Sequence, residues 1–173
     1  MMKAKIAPIF CFLSLFALSL AEANPQLAGK WKIDRDLSTA FDPWRSIELE
    51  IEVDGSRVTI EELHTTGRRR SAQVYELDLG KASNVVPVSL WTGNRHIGAY
   101  IGGAGTMRVD ADLVDEGRTL ALECHYVLDT SQGSTPVRSH KEFRPSADGD
   151  QLIVMELRSS RPRPVLYVFN REN

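Results

Sequence analysis

Apolar and polar side chains alternate along most of the chain with a period of two, the spacing of a β-strand whose successive side chains point to opposite faces. The clearest run is Ile47, Leu49, Ile51 and Val53, interleaved with Glu48, Glu50 and Glu52. A helix would mix these two sets on one face, so the segment is read as a strand. Asp54-Gly55 supplies a tight turn, and Arg57 to Leu63 resumes the alternation through Val58 and Ile60, which predicts a β-hairpin ending at Thr66-Gly67. The rhythm returns in Ser71 to Leu79, Val85 to Trp91, Ile97 to Tyr100, Met107 to Leu113, Leu120 to Leu128, Val137 to Arg144, Gln151 to Ser159 and Val165 to Arg171. Gly80, Gly93-Asn94, Glu116-Gly117, Gln132-Gly133 and Asp148-Gly149 punctuate these runs, and Pro162 and Pro164 precede the last. Pro87 has no amide donor and points to an edge or an irregular start. The total is about nine strands. One helical turn is predicted near Ser38-Thr39-Ala40-Phe41, with Ser38 as its cap.

Strands joined by short turns pair with their sequence neighbours, and closing such a meander removes its exposed edges. The expected fold is all-β, a single antiparallel up-and-down β-barrel of about 8–10 strands. A β-sandwich shares the same turn spacing and is the rival architecture.

The first residues carry a different pattern. Lys3 and Lys5 precede an almost wholly apolar stretch from Ile6 to Leu20, and Ala21-Glu22-Ala23 places small residues where a signal peptidase reads them. Residues 1–23 are therefore read as a signal peptide cut after Ala23, and residues 24–173 as one barrel domain. The apolar stretch is shorter than the ~20 residues that span a bilayer, so no transmembrane anchor is expected after processing. Export to the periplasm or the exterior follows. Cys11 leaves with the leader, and Cys124 alone cannot form an intramolecular disulfide, so stability must come from packing and strand pairing.

The full chain has a net charge of −2, and the leader removes Lys3, Lys5 and Glu22, which leaves the domain slightly more acidic. That balance argues against nucleic acid as a partner, since it recruits a positive excess. Arg68-Arg69-Arg70 is the one basic cluster, and it reads as a solvated hairpin tip that discourages edge pairing.

Leu27-Ala28-Gly29-Lys30-Trp31-Lys32-Ile33-Asp34 resembles the G-x-W opening of lipocalin-like (calycin superfamily) proteins, especially secreted bacterial lipocalin-like proteins of unknown function. Ser38, Leu77-Asp78-x-Gly80, Asp148-Gly149 before Leu152, and Tyr167-x-Phe169-x-Arg171 extend the resemblance over most of the domain. It implies a barrel closed at one end by Gly29, Trp31 and Arg171, with the guanidinium over the indole as a cation–π pair.

Candidate chemistry is sparse. His64, His96, His125 and His140 lack metal-ligand spacing, although His125 and His140 lie on neighbouring strands and would meet in a suitable register. Asp110, Asp112, Asp115 and Glu116 do not follow a calcium-loop spacing, and Gly103-Ala104-Gly105 lacks the strand and helix of a phosphate loop. No G-x-S-x-G elbow occurs. Cys124 alternates with Leu122 and Tyr126 and reads as an interior residue. No catalytic residue, metal ligand or cofactor is assigned. The leading expectation is a barrel that binds a small apolar or amphipathic molecule, with Leu49, Ile51, Val53, Leu120, Leu122, Tyr126 and Leu128 as candidate lining residues. The alternatives are a filled barrel that docks on an envelope protein through a rim around Trp91 and Tyr100, and an enzyme with an acid–base pair at the barrel mouth.

Overall fold

The alternation is realised as eleven strands in a computed structural model that describes residues 22–39, 44–88, 100–101, 105–160 and 162–172. They are β1 (Gly29–Asp34), β2 (Ser46–Asp54), β3 (Arg57–Thr66), β4 (Arg69–Asp78), β5 (Asn84–Pro87), β6 (Tyr100–Ile101), β7 (Thr106–Val114), β8 (Thr119–Thr130), β9 (Gly133–Pro145), β10 (Gln151–Arg158) and β11 (Val165–Glu172). Every ladder is antiparallel. The path runs β4-β3-β2-β1-β11-β10-β9-β8-β7-β5, with β6 pairing β8 off that path. Within β1–β4 and within β7–β11 each strand therefore lies beside its sequence neighbour, and the first strand pairs with the last. The result is a meander wrapped into a nearly closed up-and-down barrel, and the sandwich alternative is set aside.

The two ends of the path, β4 and β5, abut without sharing a ladder, and side chains bridge them instead. Gln73 donates its amide to the Pro87 carbonyl at 2.8 Å. The Asn84 side chain accepts from the Asp78 amide at 2.9 Å and donates to the Asp78 carbonyl at 3.3 Å. These side-chain bonds satisfy edge groups that a fully closed ladder would have paired.

Ser38, expected to cap a helical turn, donates its hydroxyl to the Asp34 carbonyl at 2.6 Å and accepts the Val168 amide at 3.0 Å, pinning the segment after β1 to β11. Residues 40–43 of that expected turn lie outside the described residues. Among the described residues the helical turn is a 3₁₀ turn at Pro25–Leu27, where Asn24 caps through a 3.0 Å bond from the Gln26 amide. Pro is well placed there because its missing amide hydrogen would have had no partner in a first turn. Among the described residues no helix is long and apolar enough to cross a membrane.

Strand direction defines two barrel ends. The β2–β3, β7–β8 and β9–β10 turns lie at one, together with the start of β1 and the end of β11. At this end the inward positions are apolar: Val58, Ile60, Leu77, Leu120, Leu122, Phe143, Leu152 and Phe169 pack in one buried cluster with Leu27 and Trp31. Trp31 is fully buried and its indole donates to the Leu27 carbonyl at 3.0 Å, which ties the 3₁₀ turn across the barrel end. The Arg171 guanidinium carbon sits 4.0 Å from the Trp31 ring centroid. It also donates to the carbonyls of Gly149, Ala28 and Gln26 at 2.7, 2.8 and 2.8 Å. One side chain thus clamps three segments, and the cation–π contact adds about 0.5–2 kcal/mol.

Gly29 is required by this clamp. Its φ of +135° is one that residues with a Cβ rarely adopt, and a Cβ built there collides with the Arg171 guanidinium. Arg171 cannot swing away without losing its three carbonyl partners. Gly29→Ala is expected to lower the unfolding free energy by about 2–4 kcal/mol, from backbone strain and lost hydrogen bonds. Urea denaturation measures this, and a loss below about 0.5 kcal/mol, the size of an ordinary surface substitution, would show that the clamp tolerates a side chain.

Candidate functional site

The inward positions change character toward the other end of the barrel. On β3 the inward series Val58, Ile60 continues as Glu62 and His64; on β9, Phe143 is followed by Lys141 and Ser139; on β10, Leu152 and Val154 are followed by Glu156 and Arg158. Period-two geometry places all of these side chains on the same face as the apolar core. Glu62, His64, Gln73, Ser139, Lys141 and Glu156 are accordingly buried. The interior is apolar in its lower half, and in its upper half charged side chains from β3, β9 and β10 stand among apolar ones such as Ile47, Leu128 and Val137.

Two ion pairs organise the polar half. Lys141 Nζ, from β9, reaches Glu62 Oε1 on β3 at 2.6 Å and the Tyr75 hydroxyl on β4 at 3.0 Å. Because β9 is not adjacent to β3 or β4 in the sheet, both bonds cross the interior. Arg158 donates to Glu156 through Nε at 2.7 Å and Nη2 at 3.0 Å, and Ser139 Oγ donates to the same carboxylate at 2.9 Å. Bidentate charge-assisted bonds of this kind are the strong members of their class.

Burial opposes each of these charges, and the partner outweighs it. Desolvation alone would raise the Glu62 carboxyl, but Lys141 and His64 bring it down to about 2. Burial likewise pulls against the Lys141 ammonium, which Glu62, Tyr75 and Glu156 hold well above the usual lysine value. Glu156 is lowered because Arg158 and Lys141 overcome its desolvation. Burial pushes the Cys124 thiol up to about 12 and makes it an inert interior residue. Groups held so far from neutrality are poor general acids or bases near pH 7, where efficient proton transfer needs a matched pKa.

His64 differs from the rest of the cluster. Its side chain is 8 % exposed and its Nε2 lies 3.7 Å from Glu62 Oε2, beyond hydrogen-bond range. Neither ring nitrogen has a hydrogen-bond partner among the described residues. Trp44 meets the ring edge-on with centroids 5.0 Å apart, which fixes the orientation of the imidazole.

The sequence candidates divide between the two halves. Leu49, Ile51, Leu120 and Leu122 lie in the apolar core with Trp31, and Val53 packs against it. Tyr126 and Leu128 lie further up β8, where Leu128 and Val137 form a separate small cluster. Trp91 and His96 lie outside the described residues, as does the side chain of Tyr100. His125 and His140 do not meet, since the β8–β9 register pairs His125 with Arg138 and His140 with Glu123. His140 faces outward, with its ring nitrogens 3.2 Å from Glu123 and 3.1 Å from Glu142. Among the described residues no group of three or more His, Cys, Asp or Glu side chains comes together to hold a metal ion. Asp115 lies in the β7–β8 turn and pairs with Arg144 and Thr119.

Sequence reading missed Glu62, Lys141, Glu156 and Arg158. Parity was the available signal, because each continues an apolar inward series, two residues from its nearest hydrophobic member or, for Arg158, four. The partnership of Glu62 with Lys141 had no such signal, as the two are 79 residues apart.

Fold and site together define the class as an antiparallel β-barrel with an apolar end and a buried polar, partly unsatisfied interior. Compared with known proteins, the chain matches no family model, and no curated protein matches it. Among solved structures, the fatty-acid-binding protein isolated from Manduca sexta is similar at 12% identity over 84% of this chain and 98% of that one, with a TM-score of 0.43. A likeness of that degree transfers neither family membership nor function.

The Glu62 shift sets a pH dependence. The folded carboxyl titrates at about 2 against an ordinary value of 4.5, so its contribution is present above pH 4.5 and is lost as pH falls through 2. On the order of 3 kcal/mol of unfolding free energy should disappear across that window. Urea titrations at a series of acidic pH values measure it, and a flat profile would mean that the carboxylate is not held ionised by Lys141.

Proposed function

We propose that the chain is an exported, lipocalin-like barrel of the calycin type that holds a small, partly apolar molecule in its interior. The observation that carries this reading is the division of the interior, with a close-packed apolar half under a buried polar half in which His64 has unused hydrogen-bonding capacity. Buried polar groups are ordinarily satisfied, and binding sites combine apolar walls with a few converging polar groups. An amphipathic molecule of modest size would meet both requirements.

Export rests on the leader. A cut after Ala23 leaves Asn24, the cap of the 3₁₀ turn, as the first residue, so the closure built from Leu27, Gly29, Trp31 and Arg171 is retained intact. The same cut removes Ala23, which is buried in the apolar cluster at the barrel end and whose amide donates to the Gly55 carbonyl at 3.3 Å.

Native mass spectrometry of the chain purified from the periplasm of an expressing bacterium tests both parts. The account predicts a mass excess that survives gentle ionisation and disappears on denaturation, with the denatured mass matching residues 24–173. A protein of bare mass that also binds nothing from a periplasmic small-molecule extract would contradict the carrier reading. A denatured mass that includes the leader would contradict export.

A further inference from the structure

Each buried carboxylate inside the barrel already has a cationic partner. Among the described residues the buried carboxylates are Glu62 and Glu156, in direct contact with Lys141 and Arg158 respectively. A ligand carboxylate placed beside His64 would stand against Glu62, and a ligand ammonium would stand near Lys141. Either adds an unmatched charge to a desolvated interior, where like charges repel strongly.

His64 offers something different. A neutral imidazole presents one donor and one acceptor, and a hydroxyl group is both donor and acceptor. The ring is held by Trp44 and faces the interior from β3, above the apolar side chains of Ile60 and Val58. Its nitrogens are buried with no hydrogen-bond partner among the described residues, Glu62 standing 3.7 Å from Nε2, an arrangement that costs free energy until something pairs with them. The apolar half of the barrel lies on the same side of the strand, two and four residues below.

We infer that the ligand is an uncharged, hydroxyl-bearing apolar molecule whose hydroxyl pairs with the imidazole of His64. The inference rests on the carrier reading above and specifies the head group that the barrel recognises. The ion pairs act as a neutral frame that positions His64 and excludes charged amphiphiles of the same chain length. Specificity of this kind arises as much from penalties on the wrong head group as from bonds to the right one.

A matched set of decanol, decanoate and decylamine, titrated into the full domain at neutral pH by calorimetry, separates the possibilities. Decanol should bind on the order of ten-fold more tightly than either charged analogue, a ratio of the size one buried hydrogen bond supplies. Long-range proton–nitrogen NMR should show the His64 ring nitrogens shifting as decanol is added. His64→Phe keeps a ring for Trp44 to pack against while removing both nitrogens, and should weaken decanol by about ten-fold with little effect on decanoate. His64→Gln, which restores a donor and an acceptor, should recover part of the loss. Tighter binding of decanoate or decylamine than of decanol would overturn the assignment of the head group and leave the carrier reading standing. So would decanol binding that leaves the His64 nitrogens unmoved, as it would if water alone serves them. Failure of all three to bind would overturn the carrier reading and this inference with it.

Discussion

The bond between Lys141 and Glu62 crosses the barrel, and the upper half of the interior is arranged around it. A closed meander encloses side chains from every strand, and those chains must either fill the space or pair with one another. Here β9 and β3 meet through two full charges withdrawn from water. Desolvating them costs several kcal/mol per ion in practice, and only close contact with further hydrogen bonds offsets that cost. The 2.6 Å separation supplies the contact, and the Tyr75 hydroxyl supplies a further bond. Glu156, held by Arg158 and Ser139, adds a second acidic field that favours the ammonium of Lys141.

The lower half follows a different logic. Trp31, Phe143 and the leucines around them are apolar and fully buried, and the 3₁₀ turn and Arg171 secure the chain across that end. Dispersion and the removal of apolar surface from water hold this part together without directional bonds. The division gives the interior an axis, apolar at one end and hydrogen-bonding at the other. Barrels of one architecture serve unrelated purposes, so the axis and its unsatisfied imidazole, rather than the fold, carry the functional reading.

Much of the fold was legible in the sequence because a half-buried strand writes its two faces into alternating residue types. Ile47 to Val53 and Leu120 to Leu128 both became strands, and Asp54-Gly55 became a hairpin turn. Short turns forced neighbour pairing and hence the meander. The polar interior was less legible, since alternation was followed by hydropathy and so stopped where the inward residues became charged. Glu62 and His64 sit at the right parity after Val58 and Ile60, yet read alone they resemble solvent-facing side chains. What makes them interior is the arrival of Lys141 from a distant strand, a long-range fact that no local pattern encodes. The partner of Ser38 was out of reach of local pattern for a related reason, as Val168 lies 130 residues away.

The most direct test of this account is a double-mutant cycle on the transverse pair, with Glu62→Leu, Lys141→Met and the combination compared with the original chain by urea denaturation. Each single change strands a buried charge and should cost about 3–5 kcal/mol. The double variant replaces both charges with apolar groups and should cost far less than the sum, with an interaction energy of about 2 kcal/mol or more. Costs that add to within about 0.5 kcal/mol would show that the two residues do not meet, and would contradict a barrel interior organised around their contact.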